Sequence, residues 1–246
     1  MKIVVIGGTG LIGSKLVARL GEHGHEAVPA APNTGVNTLT GEGVKEVLQD
    51  ANVVVDVSNS PSFADDEVME FFRTSTTNLT DAAREAGVGH YVALSVVGTE
   101  RLPESGYMRA KVAQEELIKG SGLPYSIVHA TQFFEFAGRI ADSATDDGTV
   151  RLSGAAVQPM AADDVAAAVG ETAAGAPLNG TVEVAGPEEF GLDQWIGTVL
   201  TARRDPREVI TDPQAQYFGA VPDRELLPGP GARLAQTRLS EWLTRQ

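Results

Sequence analysis

The sequence predicts an α/β fold: a doubly wound parallel sheet with a smaller C-terminal lobe that carries substrate. Three observations lead to it. Apolar strands alternate with amphipathic helices through the first half of the chain, a glycine-rich turn joins the first strand to the first helix, and the alternation weakens after about residue 130. A chain of 246 residues suits one unit of two lobes, divided here into a core of residues 1–130 and a smaller lobe of residues 131–246 packed on it.

Residues 2–7, Lys2-Ile3-Val4-Val5-Ile6-Gly7, read as the first strand, and Leu11, Leu16, Val17 and Leu20 follow at helical spacing until Gly21 and Gly24. Ala27 and Val28 make a short second strand, and residues 41–49 a short helix. The apolar run over residues 52–57 is a third strand, buried on both faces. Val68, Phe71, Phe72 and Leu79 set a helix over residues 64–85, with Gly87 as its C-cap. A strand at 90–95, a helix at 107–119 and a strand at 125–128 complete the core. Right-handed crossovers then cover both faces of the sheet, and ligands bind outside the carboxyl ends of its strands. Beyond residue 130 the pattern predicts a helix at 132–144, strands at 148–152 and 157–160, and a helix at 163–174. A strand at 181–184, a helix at 192–200, a last strand at 207–210 and a loop at 227–231 follow.

Nineteen basic against thirty-three acidic residues give a net charge of −14, which opposes binding to nucleic acid or an anionic membrane. The chain has no cysteine, which excludes disulfides, thiolate metal sites and cysteine nucleophiles. No apolar run nears the roughly 20 residues of a spanning helix, and the N-terminus reads as a strand instead of a leader, so the expected location is the cytoplasm. Arginine outnumbers lysine and alanine is abundant, a bias of GC-rich bacterial genomes. His23 and His25 lie at the far end from the strand carboxyl termini, so no metal site is expected.

Chemistry concentrates first in Gly7-Gly8-Thr9-Gly10-Leu11-Ile12-Gly13, a G-x-x-G-x-x-G turn between strand and helix. Its first glycine permits the tight turn, its second lets the backbone approach a pyrophosphate, and its third packs helix on strand. Gly7, Thr9, Gly10, Leu11, Ile12 and Gly13 are therefore expected to bind NAD(P)(H) on a Rossmann-type sheet. The second strand runs into Asn33 and Thr34, with no carboxylate to repel a ribose 2′-phosphate and no arginine to attract one; the reading favours NADP(H). Ser95 ends a strand, and Tyr107 and Lys111 follow as Tyr-x-x-x-Lys at a helix start. Four-residue spacing puts phenol and ammonium on one helix face, where the charge would lower the phenol pKa. Such a tyrosine can protonate a carbonyl oxygen held by Ser95 while hydride reaches the carbon, and Lys111 can also hold cofactor ribose.

Together with Leu94-Ser95-Val96-Val97-Gly98, Gln158-Pro159-Met160-Ala161-Ala162-Asp163-Asp164 and Val184-Ala185-Gly186-Pro187-Glu188, these motifs resemble the short-chain dehydrogenase/reductase superfamily and its atypical NmrA-like branch. The spacing from Ser95 to Tyr107 is shorter than in typical members. The resemblance implies catalytic Ser95, Tyr107 and Lys111, and nucleotide contacts at Ser58, Asn59 and Ser60. A substrate wall is expected from Phe63, Val97, His129, Gln132, Phe133, Phe134 and Met160. The expected activity is reduction of a quinone or ketone in a hydrophobic, polycyclic aromatic small molecule. A tailoring hydroxylase of the same fold and a non-catalytic nucleotide sensor that binds a protein partner stand as alternatives.

Overall fold

The computed structural model describes residues 1–245. The core opens with β1 (Lys2–Ile6), α1 (Leu11–Glu22), β2 (Glu26–Ala30), α2 (Val44–Leu48) and β3 (Val53–Asp56). It continues through α3 (Asp65–Glu85), β4 (His90–Val96), α4 (Gly106–Gly120) and β5 (Tyr125–Ala130). Local chemistry accounts for these bounds: α3 carries Asp65, Asp66 and Glu67 in its first turn and Arg84 in its last, each placed to complement the helix dipole. Ser105 caps α4 by accepting from the Met108 N–H at 3.3 Å.

Beyond β5 lie α5 (Ala137–Ser143), β6 (Thr145–Asp146), β7 (Thr149–Leu152), β8 (Ala156–Val157) and α6 (Ala162–Ala174). β9 (Gly180–Ala185), β10 (Phe190–Gly191), α7 (Leu192–Ala202), β11 (Glu208–Thr211), β12 (Arg233–Leu234) and α8 (Leu239–Leu243) end the described chain. Among the described residues, seven strands form one sheet in the order β12-β9-β5-β4-β3-β1-β2, and every pair in it is parallel. β1 sits between β2 and β3, so the connections diverge there and open a crevice at the carboxyl edge. Ile3, Val5, Leu16, Val92, Val128 and Val165 pack one face, with α1 against α6. Val4, Ile6, Val54, Leu79, Tyr91 and Ile118 pack the other, under α3 and α4.

Residues 131–245 divide between the main sheet and a second core. β9 pairs with β5 and β12 with β9, so both extend the main sheet, and α6 covers it. The separate core of the second lobe is built instead on Phe134, Val150, Leu152, Trp195, Val199 and Trp242, around β11-β7-β6 and the β8-β10 pair. The helix expected over residues 132–144 starts late, because tertiary pairing takes its first turn. Phe134 N–H donates to Met160 O at 2.9 Å and Met160 N–H to Gln132 O at 2.8 Å, which leaves a 3₁₀ turn at Phe134–Phe136 before α5. The same pairing draws Met160 away from the strand expected at 157–160, of which β8 keeps only Val157. Among the described residues, no helix is long and apolar enough to cross a membrane.

Glu135 ties the lobes together: one carboxylate oxygen accepts Ala162 N–H at the start of α6 at 3.0 Å, the other the Trp242 indole N–H of α8 at 3.0 Å. Glu135→Ala leaves both donors unpaired and should cost about 1–3 kcal/mol of stability. Urea unfolding checks this, and a midpoint unchanged from wild type would contradict the role given to Glu135.

Candidate functional site

The carboxyl edge of the sheet gathers the segments after β1, β3, β4 and β5. In the turn at residues 7–13, a β-carbon on Gly13 would lie 2.1 Å from the Gly7 carbonyl oxygen, so the helix can approach its own strand only with glycine there. No side chain caps α1, and no acidic residue occupies its first turn. Its free N–H groups and positive dipole end therefore face open space at exposed Thr9 and Gly10, which fits a pyrophosphate. Thr9 Oγ1 donates to Asn33 Oδ1 at 3.1 Å, which joins the glycine turn to the 3₁₀ turn Pro32–Thr34 after β2. Thr34, expected to bind nucleotide, is spent on its own turn: its hydroxyl accepts Ala31 N–H and donates to Ala31 O, both at 2.9 Å.

After β3, Ser58 Oγ donates to Asp56 Oδ1 at 2.6 Å, Asn59 is exposed, and buried Ser60 accepts the Ser62 N–H at 3.2 Å. Asp56 is the head of a buried polar chain under α4 that the sequence reading missed. Its other oxygen accepts Gln114 Nε2 at 3.1 Å and Tyr91 OH at 3.5 Å. Lys111, 2% exposed, donates to Leu94 O at 3.0 Å and to Gln114 Oε1, with its ammonium 4.4 Å from the Phe72 ring centroid. Burial lowers its pKa to about 8, against the opposing pull of the Asp56 and Glu115 charges.

Among the described residues, Ser95, Tyr107 and Lys111 share no hydrogen bond with one another. Ser95 donates to Glu115 Oε1 at 2.6 Å, and His129 Nε2 meets the same oxygen at 2.8 Å. Lys119 lies 3.5 Å from the other oxygen of Glu115. Burial works against a charge on Glu115, yet the bonds and charges of His129, Ser95 and Lys119 prevail and hold its pKa below the usual range. Both residues expected to face substrate, Ser95 and His129, are thus held inward against α4. Tyr107 lies among aromatic rings: Phe63 at 5.5 Å, Phe72 at 6.3 Å and Phe218 at 5.0 Å between centroids. Burial pushes its phenol up, the reverse of the lowering expected from Lys111.

Of the expected substrate wall, Phe63 stands at the edge, 51% exposed, and Phe133 is half-buried and stacked on Phe136 at 5.2 Å. Gln132 is buried, and its Oε1 has no partner among the described residues, which leaves an acceptor beside the β5 terminus. Val97, Phe134 and Met160 are core residues instead. Val97 N–H continues the β4–β5 edge by donating to Ala130 O, Phe134 packs on Trp195 and Trp242, and Met160 bridges Phe133. Two signals could have found the polar chain: Asp56 ends a strand that is otherwise apolar, and Glu115 stands four residues after Lys111 on the same helix face. Nothing in the sequence linked Phe218 to Tyr107, 111 positions earlier.

Gly10 is the mildest probe of the turn, since a β-carbon there would meet only Gly7 O, at 3.2 Å, a tight contact that a shift of a few tenths of an ångström relieves, against 2.1 Å at Gly13. Gly10→Val should melt near wild type yet lose about 2 kcal/mol of dinucleotide affinity, roughly 30-fold, because the side chain stands where the pyrophosphate must come. Calorimetry with NAD(P)(H) reads it; undiminished affinity would move the nucleotide elsewhere. Lys111 gives a pH test. Its folded pKa of about 8 lies below the ordinary 10.5, so between those values the unfolded chain binds more protons and stability rises with pH. Relative to Lys111→Met, wild type should gain stability as pH climbs from 8 to 10. Parallel curves would show that the ammonium is not held in the buried setting described.

A family model described as NAD(P)H-binding matches residues 7–174. Among curated proteins, the photosystem II assembly factor Ycf39 of Cyanophora paradoxa is 27% identical over 168 residues, 62% of this chain and 52% of its own length. The protein of the same name from Synechocystis is 23% identical over 169 residues, 63% of this chain and 52% of its own. The chain thus spans about half the length of the curated relatives it matches. Among solved structures, MoeE5 in complex with UDP-glucuronic acid and NAD aligns with a TM-score of 0.78 at 18% identity, over 100% of this chain and 97% of that one. DesIV, a dTDP-glucose 4,6-dehydratase from Streptomyces venezuelae with NAD and TYD bound, aligns at 0.79 and 16% identity, over 100% and 95%. At such identity these likenesses show the fold alone. With the glycine turn, the parallel sheet and a family match over most of its length, the chain belongs to the NAD(P)H-binding family of atypical, NmrA-like short-chain dehydrogenase/reductases.

Proposed function

We propose that the chain is an NAD(P)(H)-dependent oxidoreductase that reduces a quinone or ketone in a flat, hydrophobic aromatic molecule. The observation that carries this reading is one of placement: the uncapped start of α1 and the rings of Phe63 and Tyr107 stand at the same carboxyl edge. The bound nucleotide supplies the hydride. Thr9, Gly10 and the first N–H groups of α1 hold its pyrophosphate, and Asn33 with Thr9 faces the adenosine ribose. No carboxylate stands there to repel a 2′-phosphate, which is the basis for NADP(H). Tyr107 carries its proton at neutral pH, as an ordinary phenol does, and would give it to the reduced oxygen; burial, which pushes its pKa up, opposes a phenolate there until solvent or the nucleotide's charges are near. The second lobe closes the other side of the substrate, with the free acceptor of Gln132 as a polar contact.

One observation supports other readings. Tyr107 hydrogen-bonds to neither Ser95 nor Lys111, which a hydroxylase using O₂ or a nucleotide sensor with a protein partner would tolerate. The assembly-factor name of the curated relatives adds weight to the sensor.

Tyr107→Phe keeps the ring and removes only the hydroxyl, so nucleotide affinity should hold while kcat falls by about 10²–10⁴. Wild-type kcat in the folded variant, on a substrate confirmed to turn over, would remove Tyr107 from the chemistry. Turnover of an aromatic substrate under ¹⁸O₂ should give unlabelled product, whereas label in a new hydroxyl group would establish the oxygenase instead.

A further inference from the structure

The segment between β11 and β12 sends one tight turn onto the aromatic cluster. Tyr217 N–H donates to Ala220 O at 2.7 Å and Ala220 N–H to Tyr217 O at 3.2 Å, with Phe218 and Gly219 between them at φ 50° and 79°. Two successive left-handed residues are the pattern of a type I′ turn, whose first position favours asparagine, aspartate or glycine. A phenylalanine is strained there, so the turn does not account for it. Its contacts do. The Phe218 ring stacks on Tyr107 at 5.0 Å and 22°, and lies 5.4 Å from Phe63 at 39°. Tyr217, partly buried, packs against the core of the second lobe and meets the Phe218 ring edge-on at 4.5 Å, whereas Phe218 belongs to none of the buried clusters.

We propose that Phe218 covers a site for a planar aromatic ring on the face of Tyr107 and the adjoining edge of Phe63, which contact each other at 5.5 Å, and leaves it when such a ring enters. The incoming ring belongs to the substrate or to the nicotinamide of the nucleotide, which present the same flat π surface. Stacking holds the gate closed, and the strained backbone at Phe218 favours its release. Phe218 is thereby a specificity residue: a ligand must offer a flat ring to replace the stacking it displaces. The proposal rests on the reading of this edge as the nucleotide and substrate site.

Calorimetry on wild type, Phe218→Ala and Phe218→Leu tests it with four probes: NAD⁺, ADP-ribose and its 2′-phosphate, which lack the nicotinamide, and 9,10-anthraquinone-2-sulfonate. Phe218→Ala should tighten binding of a ring-bearing probe by about two- to twelve-fold, the range an aromatic pair is worth, and leave ADP-ribose unchanged. Phe218→Leu keeps apolar bulk at the turn and should gain less. A gain with NAD⁺ assigns the ring site to the nicotinamide, and a gain with the anthraquinone assigns it to substrate; either supports the proposal. Equal or weaker binding of both ring-bearing probes, with ADP-ribose unchanged, overturns the gate and leaves the nucleotide site standing. Failure of wild type to bind either ADP-ribose or its 2′-phosphate overturns the site reading itself. Because the chain lacks cysteine, Ala220→Cys installs a single thiol at a position 4% exposed. Its reaction with a disulfide reagent should quicken at saturating ring-bearing probe, and an unchanged rate would overturn displacement of the turn.

Discussion

The close approach of α1 to β1 is the constraint on which the rest depends. With no side chain at Gly13, the helix starts directly against Gly7 O, and its N-terminus points across the carboxyl edge of the sheet. The position of β1 between β2 and β3 puts that N-terminus at the point where the chain's crossovers diverge. An anion-binding helix end and a crevice coincide there for one geometric reason, and the segments after β3, β4 and β5 inherit their orientation from the same parallel strands.

A second constraint acts beneath the site. Asp56, Lys111, Gln114, Glu115 and Ser95 are all buried, and buried charges persist only when paired and hydrogen-bonded. The chain of contacts from Ser58 through Asp56 and Gln114 to Lys111 meets that demand, as does Glu115 between Ser95, His129 and Lys119. The side chains that satisfy this network are not free at the surface. Ser95 and Lys111 thereby tie α4 to the sheet, while Tyr107 and its aromatic neighbours stand at the open edge.

The C-terminal part of the chain serves two bodies at once. α6, β9 and β12 complete the main sheet, while α7, β7 and β11 build a separate core over Trp195 and Trp242. Glu135 spans them by accepting from both α6 and α8. The turn at Tyr217 reaches the first body from the second, so the aromatic cluster around Tyr107 has walls from residues far apart in sequence.

Local pattern was enough for most of the fold. Continuous apolar runs marked β1, β3, β4 and β5, and the period-3.6 spacing of apolar residues marked α1 and α3, because burial on a parallel sheet leaves those signatures in each segment separately. The glycine turn was legible for the same reason: its spacing is dictated by a strand and helix only a few residues apart. Long-range contact decided the rest. Pairing of Phe134 with Met160 delayed α5, β9 joined β5 across the boundary drawn at residue 130, and Glu115 took Ser95 and His129 away from the open edge. Tyr-x-x-x-Lys spacing placed Tyr107 and Lys111 on one helix but could not say what each side chain would meet. That depended on Asp56, Gln114 and Phe218, whose positions relative to α4 are set by packing between elements and leave no periodic trace in the sequence.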